Sequence, residues 1–418
     1  MFRLPDGFKD LLPYEAEVFY FIHQKLYSTF TNFGYSPIIP SSVEYIKTYT
    51  YSKEPEEQIF NFIDSYDNRT ACFRFDFTPQ VVRIITSDKN FIKNIPYRVC
   101  YFGPVLRNPE NYTGLPREIH HAGVELIGLE GIKAEIELIA IVKDIEKHLQ
   151  LKSEIKLIFN DNEILKMILQ KTGLYKNPNL KEALIVRDIT AIKNITEKTN
   201  IERSLKNFII DLPISCGDVS LIEYIEKKYK IEFLKPYTKK LKDLAYFVSK
   251  NLNKNIYFDL GEVRGFEYHT GITFDGYAQD NNGKVQDVIT GGRYDSLLEI
   301  FSKKSIAATG FAIDIMKLAN CINYQSTIKV AILTNETIID KAFKVAEILR
   351  GKGIRVTIIS DYKERHLKNK FDYILILDNN NNMLFLKNCK KRKVSKITWN
   401  DLINGNINEL FYLERSNK

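Results

Sequence analysis

No stretch of this 418-residue chain approaches the roughly 20 consecutive apolar residues of a membrane span. The opening "MFRLPDGFKD" lacks the basic-then-apolar layout of a secretory signal, which makes the cytoplasm the expected compartment. The five cysteines (Cys72, Cys100, Cys216, Cys321, Cys389) are scattered, odd in number and form no CxxC pair. That spacing argues against a disulfide framework and against a zinc site, leaving reduced packing residues. There is no internal repeat, and the only low-complexity patch is the asparagine run near residue 380.

What is present is ordinary globular material. Hydrophobic content is 44% and charged content 27%, and a chain of this length predicts about two or three domains. The formal net charge of +8 permits nucleic-acid contact without demanding it. Lysine is spread through segments that read as plain surface helix, so the charge reads as compositional. The run "KKRKVSK" (Lys390 to Lys396) reads as a solvated loop.

Pro13 should open a helix that stops at Gly34, with Val18, Ile22, Leu26 and Phe30 as its buried stripe. Pro37 and Pro40 make the following stretch extended. "ACFRFDFTPQVV" alternates Phe73, Phe75 and Phe77 with Arg74, Asp76 and Thr78, the period of a strand with one polar face. "IPYRVCYFGPVLR" and "HHAGVELIGLE" predict strands flanking a polar loop, and a helix carrying Leu138, Ile141, Val142, Ile145 and Leu149 follows. Residues from about 165 to 252 read as a lysine-rich helical insertion. Strands return in "NIYFDLGEVRGFEYHTGITFDGYA", "KVQDVITGGRYDSLLEIF" and "AATGFAIDIMKLANCI". After a linker near residue 325, "IKVAILT", a helix and "IRVTIIS" form a β-α-β unit, and "YILILDNNNNMLFLKN" adds two strands about an asparagine turn.

Four segments put polar groups on strands or strand ends: Asp76 with Thr78; Arg107 with Arg117 and Glu125; Arg264 with Glu267, Tyr268 and His269; and "GGRYD" with Arg293 and Tyr294. A pair of carboxylates can hold an ammonium, and an arginine matches a carboxylate or phosphate through two parallel hydrogen bonds. Each segment also has a plain reading. Asp76 and Arg74 could be a salt bridge on a solvated face, and Arg264 an exposed turn residue. His120 and His121 are adjacent on a strand and point to opposite faces, which argues against a metal site using both. His23, on an aromatic-rich helix, reads as packed.

Taken in order, these segments resemble the catalytic core of a class II aminoacyl-tRNA synthetase, specifically the histidyl branch. "LPDGFKDLLP" is similar to that family's N-terminal entry, "FGYSPIIPSSVE" to its dimer-forming first motif, and "RNPENYTGLPRE" to its second. "FRFDFT" resembles its amino-group-binding strand, "VRGFEYHTG" and "GGRYD" its two histidine-recognition segments, and "ATGFAIDIMKL" its third motif. The likeness covers residues 4 to 320. It implies an α+β fold: an antiparallel sheet with flanking helices over residues 1–325, the helical insertion within it, and a reduced anticodon-binding-like α/β domain over 326–418.

The departures carry the functional reading. The third-motif arginine that clamps ATP falls at Lys317, behind Met316 and with Asp314 in place of a glycine. The second-motif acid falls at Pro109, and a loop arginine becomes Leu115. Lysine cannot reproduce arginine's planar fork, and adenylate formation depends on positioning and charge. The chain resembles more closely the regulatory subunits of short-form ATP phosphoribosyltransferase, relatives of the synthetase that have lost charging. That resemblance implies a subunit without its own catalysis, metal or cofactor. Its expected partners are a short catalytic subunit of the first step of histidine biosynthesis, L-histidine as effector and a second copy of itself as a dimer; neither tRNA nor a membrane is expected. Asp76 and Thr78 would meet the ligand's ammonium, Arg107 and Arg264 its carboxylate, Glu125 its imidazole, with Tyr268 and Tyr294 as walls. His121 and His269 stand where the family has glutamine and tyrosine, and both can still hydrogen-bond. The alternatives are a divergent histidyl-tRNA synthetase and a binding module with another partner.

Overall fold

Pro13 opens the first helix, Pro13–Asn32, and the Glu15 side chain accepts from the Leu12 amide at 3.0 Å, satisfying one of the helix's exposed donors. Val18, Ile22, Leu26 and Phe30 are buried along one stripe, each worth at most about 1.5–3 kcal/mol of apolar burial. The structure, a computed structural model, describes residues 3–50, 56–109, 114–263, 269–360, 370–377, 383–390, 393–398, 402 and 411. They divide into two units, residues 1–323 and 324–418.

The strands of the first unit are β1 (Ser36–Pro37), β2 (Val43–Tyr45), β3 (Asn61–Ile63), β4 (Thr70–Phe73), β5 (Tyr97–Leu106), β6 (Glu118–Ile127), β7 (Lys156–Asp161), β8 (Cys216–Gly217), β9 (Ile256–Asp259), β10 (Ile272–Gln279), β11 (Val285–Arg293) and β12 (Ala308–Asp314). Nine of them form one sheet in the order β1-β5-β6-β12-β11-β10-β7-β9-β8, and β2-β4-β3 form a small second sheet. The pairs from β5 through β7 are antiparallel, whereas β1 on β5 and β7 on β9 are parallel. The helices Pro13–Asn32 and Lys133–Leu149 pack behind the sheet's centre, where Phe30 meets Phe102 and Phe311. Between β7 and β9 the chain runs through helices from Asn162 to Leu252, with the short β8 among them.

The expected strand over "ACFRFDFTPQVV" is corrected by the structure. β4 ends at Phe73, and Thr78–Ser87 is a helix with Pro79 in its first turn. Proline's fixed φ suits a helix start and cannot feed a sheet ladder. Arg74 is buried, not solvated: its guanidinium donates to the carbonyls of Pro40 and Pro104 and to the Ser42 hydroxyl, and lies over the Phe77 ring. It therefore makes no bridge to Asp76.

The second unit holds β13 (Lys329–Thr334), β14 (Arg355–Ser360), β15 (Tyr373–Leu377), β16 (Met383–Asn388) and β17 (Val394–Thr398), in the order β14-β13-β15-β16-β17. The helix Ile339–Gly351 connects the parallel β13 and β14 and buries Ala342, Val345, Ala346 and Leu349 against them. The asparagine turn between β15 and β16 lies outside the described residues, as do two residues of the "KKRKVSK" run. Of that run, Lys390 lies 3.6 Å from Asp372.

Candidate functional site

Alternation along the central strands assembles the site. His121, Gly123 and Glu125 of β6 share one face. Their register partners are Gly103, Tyr101 and Val99 on β5, and Asp314, Ala312 and Gly310 on β12. The intervening β6 residues face the helical layer, where His120 packs edge-on against Phe19 at 5.0 Å between ring centroids. His23 likewise packs against Phe102, at 4.3 Å. The two adjacent histidines thus serve different faces.

On the site face a cavity of about 100 Å³ is lined by Asp76, Thr78, Tyr101, Arg107, His121, Glu125, His269, Thr290, Tyr294 and the glycine backbone of β11 and β12. A second cavity of about 350 Å³ shares Arg107, His121 and His269 as walls and continues to Glu262, Asp275, Asp287, Asp314 and Lys317. Gly310 keeps the smaller cavity in shape. A Cβ there would stand 1.9 Å from Glu125 Oε2 and 2.4 Å from the Val124 carbonyl.

Glu125 is buried, and three hydroxyls donate to it: Thr78 at 2.8 Å and Tyr101 at 3.3 Å to Oε1, and Tyr294 at 2.5 Å to Oε2. Burial pushes its carboxyl up to about 8, with the hydroxyl donors pulling the other way and the Asp76 charge adding to the rise. Asp76 is also raised, by burial, against the opposing charge of Arg107 and bonds from the Phe77 and Thr78 amides. His121 is held neutral, its pKa lowered to about 3 by burial and then by the charges of Arg107 and Lys317. Its Nδ1 is buried with no hydrogen-bond partner among the described residues. His269 keeps partial exposure, yet burial lowers it to about 4, and its Nδ1 meets the Arg293 carbonyl at 3.3 Å. A neutral ring donating there leaves Nε2 as an acceptor.

Seven of the expected site residues, Asp76, Thr78, Arg107, His121, Glu125, His269 and Tyr294, line the one cavity. Arg264 and Tyr268 lie outside the described residues. Arg117 and Arg293 are used elsewhere. Arg117 donates to Asn108 Oδ1 and the Asp6 carbonyl and stacks over Phe60. Arg293 is paired with Glu135 at 2.7 Å. Tyr101 and Thr290 belong to the lining although the motifs did not single them out. Tyr101 could have been found from the period of β5, once β6 had been set beside it in register.

At the far end of the larger cavity, Lys317 Nζ is bound to Asp287 Oδ1 at 2.8 Å. Asp314 caps the helix Ile315–Ala319 by accepting from the Met316 and Lys317 amides. Among the described residues no group of three or more His, Cys, Asp or Glu is placed to hold a metal ion. No helix among them is long and apolar enough to cross a membrane. The smaller cavity offers two carboxyls, four hydroxyls and a guanidinium, a set suited to a small molecule bearing both cationic and anionic groups.

A family model described as histidyl-tRNA synthetase matches residues 7–318. An ATP phosphoribosyltransferase regulatory subunit from Thermoanaerobacter pseudethanolicus is 30% identical over 394 residues, spanning 90% of this chain and 100% of the relative. Another from Caldanaerobacter subterraneus subsp. tengcongensis is 31% identical over 367 residues, spanning 84% and 93%. Among solved structures, an ATP phosphoribosyltransferase regulatory subunit/histidyl-tRNA synthetase from Bacillus halodurans matches with a TM-score of 0.78 at 24% identity, over 90% of this chain and 98% of that one. A histidyl-tRNA synthetase from Nostoc matches with a TM-score of 0.74 at 17% identity, over 98% and 100%. The fold is that of a class II aminoacyl-tRNA synthetase.

Proposed function

The chain belongs to the histidyl-tRNA synthetase family, among its ATP phosphoribosyltransferase regulatory subunits of histidine biosynthesis, and from that premise we propose that it activates a short-form catalytic subunit and senses histidine without forming an adenylate itself. The observation that carries this reading is the contrast between the two cavities. At the amino-acid end, Asp76, Thr78, Arg107 and Glu125 converge, with Tyr101 and Tyr294 bound to Glu125. At the other end, Lys317 is paired with Asp287, and position 109, which the second-motif resemblance assigns to the phosphate site, is a proline with neither carboxylate nor backbone donor. Catalysis of adenylate formation is mostly positioning and charge, so a phosphate end altered at several points supports ligand binding without the reaction.

In this reading Asp76 and Thr78 meet the ammonium, Arg107 the carboxylate, and Glu125 the imidazole, with His121 and His269 as neutral hydrogen-bonding walls and Arg264 and Tyr268 completing the set. Inhibition requires that histidine bind one state of the complex more tightly than another. The decisive assay is phosphoribosyl transfer from phosphoribosyl pyrophosphate to ATP by the short catalytic subunit, with and without this chain. We expect a rate increase that histidine reverses. No increase with both proteins folded would sink the proposal, and histidine-dependent ATP–pyrophosphate exchange by this chain alone would establish a divergent synthetase instead.

A dimer through the first-motif segment belongs to the same proposal. Its support is the exposed apolar side chains of that segment, Ile39 at 95% and Val43 at 41% exposure. A solution mass near the monomer's 48.6 kDa by analytical ultracentrifugation would exclude it.

A further inference from the structure

Behind the pocket, the sheet is tied to the helices of residues 162–252 by buried charge. Asp161, the last residue of β7, has no exposure. Its Oδ1 accepts from the Glu163 amide at the start of the helix Asn162–Lys171. Its Oδ2 lies 2.6 Å from Lys240 Nζ, which reaches it from the helix Lys235–Leu252. That contact is ionic and off hydrogen-bond geometry. A carboxylate with no exposure needs a compensating charge, and Lys240 is the cation that meets it.

The next link is backbone. Asn162 donates its amide to the Gly271 carbonyl at 3.0 Å, and Ile272 pairs in register with Asp161. Gly271 stands two residues after His269, which walls both cavities. Between them, the Thr270 amide donates to the Arg293 carbonyl at 2.9 Å, and the Thr270 hydroxyl accepts from the Asp295 amide at 2.7 Å. The Lys240 charge also acts on Glu135 and Asp295, the two carboxylates that hold the Arg293 guanidinium. Lys240 thus meets Asp161 directly and adds a smaller charge effect at Glu135 and Asp295, behind burial and the Arg293 guanidinium.

We propose that Lys240 is a positioning residue for the ligand pocket: through Asp161 it fixes the backbone from Asn162 to Gly271 and so the seat of His269, making pocket affinity depend on how the helix Lys235–Leu252 is held. The proposal rests on the reading above only in taking histidine as the ligand. Linkage makes the dependence reciprocal, so a contact that shifts this helix alters ligand affinity, and ligand occupancy biases the helix. The same helix supplies an internal control. Lys242 makes an equally short 2.6 Å pair, but with Glu226 of the neighbouring helix Val219–Tyr229.

The test compares full-length wild type with Lys240→Met, Lys240→Arg and Lys242→Met. Without ligand, the ring resonances of His269 are followed by NMR on 13C-histidine-labelled protein and assigned by their loss in His269→Gln. L-histidine affinity is then measured by calorimetry. Lys240→Met should move the His269 resonance and weaken L-histidine binding about fivefold to tenfold. Lys240→Arg and Lys242→Met should stay within about twofold. If Lys240→Met fails to fold, Lys240→Gln, which keeps a donor and loses the charge, takes its place. A His269 resonance unmoved by loss of the Lys240 charge, or moved equally by Lys242→Met, would overturn the proposal. Failure of wild type to bind L-histidine while the resonance moves as stated would remove the ligand assignment and leave the positioning role standing.

Discussion

Tyr294 donates its hydroxyl to Glu125 Oε2 at 2.5 Å across 169 residues of chain. Thr78 donates to the other oxygen of the same carboxyl. One buried acid thus gathers groups from three separated segments, and its protonation state governs what the cavity can bind. Replacing it with the isosteric amide leaves the volume and removes the charge. Glu125→Gln should lose histidine inhibition of the assembled complex, read as residual phosphoribosyl transfer at saturating histidine. Inhibition equal to wild type would remove Glu125 from the effector site.

Stability of the ligand-free chain should depend on pH through the same residue. A carboxyl raised from 4.5 to about 8 in the folded state favours the fold while protonated, and that contribution is lost as pH rises through the window. His121 and His269, lowered from 6.5 to about 3 and about 4, act in the opposite sense. Their contribution is present above pH 6.5 and is lost as pH falls toward those values. Between pH 6.5 and 8 the Glu125 effect therefore stands apart from theirs. The melting temperature should fall across that interval, and Glu125→Gln should flatten the fall; parallel slopes in the two proteins would contradict this.

Histidine binding should release protons at pH 7. A ligand ammonium held against Asp76 and an imidazole N–H donating to Glu125 favour the ionised forms of these carboxyls, and burial holds both above the usual carboxylate range. Raising pH toward 8 should then strengthen binding, by up to about tenfold per pH unit for one linked proton. Calorimetry in phosphate and in Tris, which differ in ionisation enthalpy, would give the proton count directly. Proton uptake would reverse the assignment.

Gly310→Ala should close the site from its floor. The added methyl would meet Glu125 Oε2 and the Val124 carbonyl well inside contact distance, and the carbonyl belongs to a paired strand that cannot yield. A loss of about 1–3 kcal/mol of stability is expected from overpacking of this kind, together with loss of histidine binding. Urea denaturation and calorimetry would measure the two effects; wild-type values in both would refute it.

Lys317→Arg tests the altered phosphate end. Arginine restores a planar fork but leaves Asp287 beside it and Pro109 in place. Histidine-dependent ATP–pyrophosphate exchange should stay at background in wild type and variant alike. Exchange by the variant alone would mean that the lysine was the one missing part.

The sequence by itself determined which residue types would converge. The order of "FRFDFT", "RNPENYTGLPRE", "HHAGVELIG" and "GGRYD" was legible because local periods mark strands and turns, and because side-chain alternation already separates His120 from His121. Only the tertiary structure decided how those residues are used. Arg74 and Asp76 read alike as polar points on a strand. Yet Arg74 is sunk among backbone carbonyls and Asp76 faces the cavity, because the strand ends at Phe73 and a helix with Pro79 in its first turn begins at Thr78. Arg293 and Tyr294 are neighbours in one motif, but the first is spent on Glu135 and the second on Glu125. Tyr101 carried no signal of its own and entered through the register of β5 on β6. The tie from Lys240 to Asp161 was equally invisible, since a lysine in a lysine-rich helix acquires meaning only from the buried carboxylate it happens to meet. Local pattern follows from steric period; partnership at a distance depends on register, burial and which charge lies opposite, and these exist only once the chain has folded.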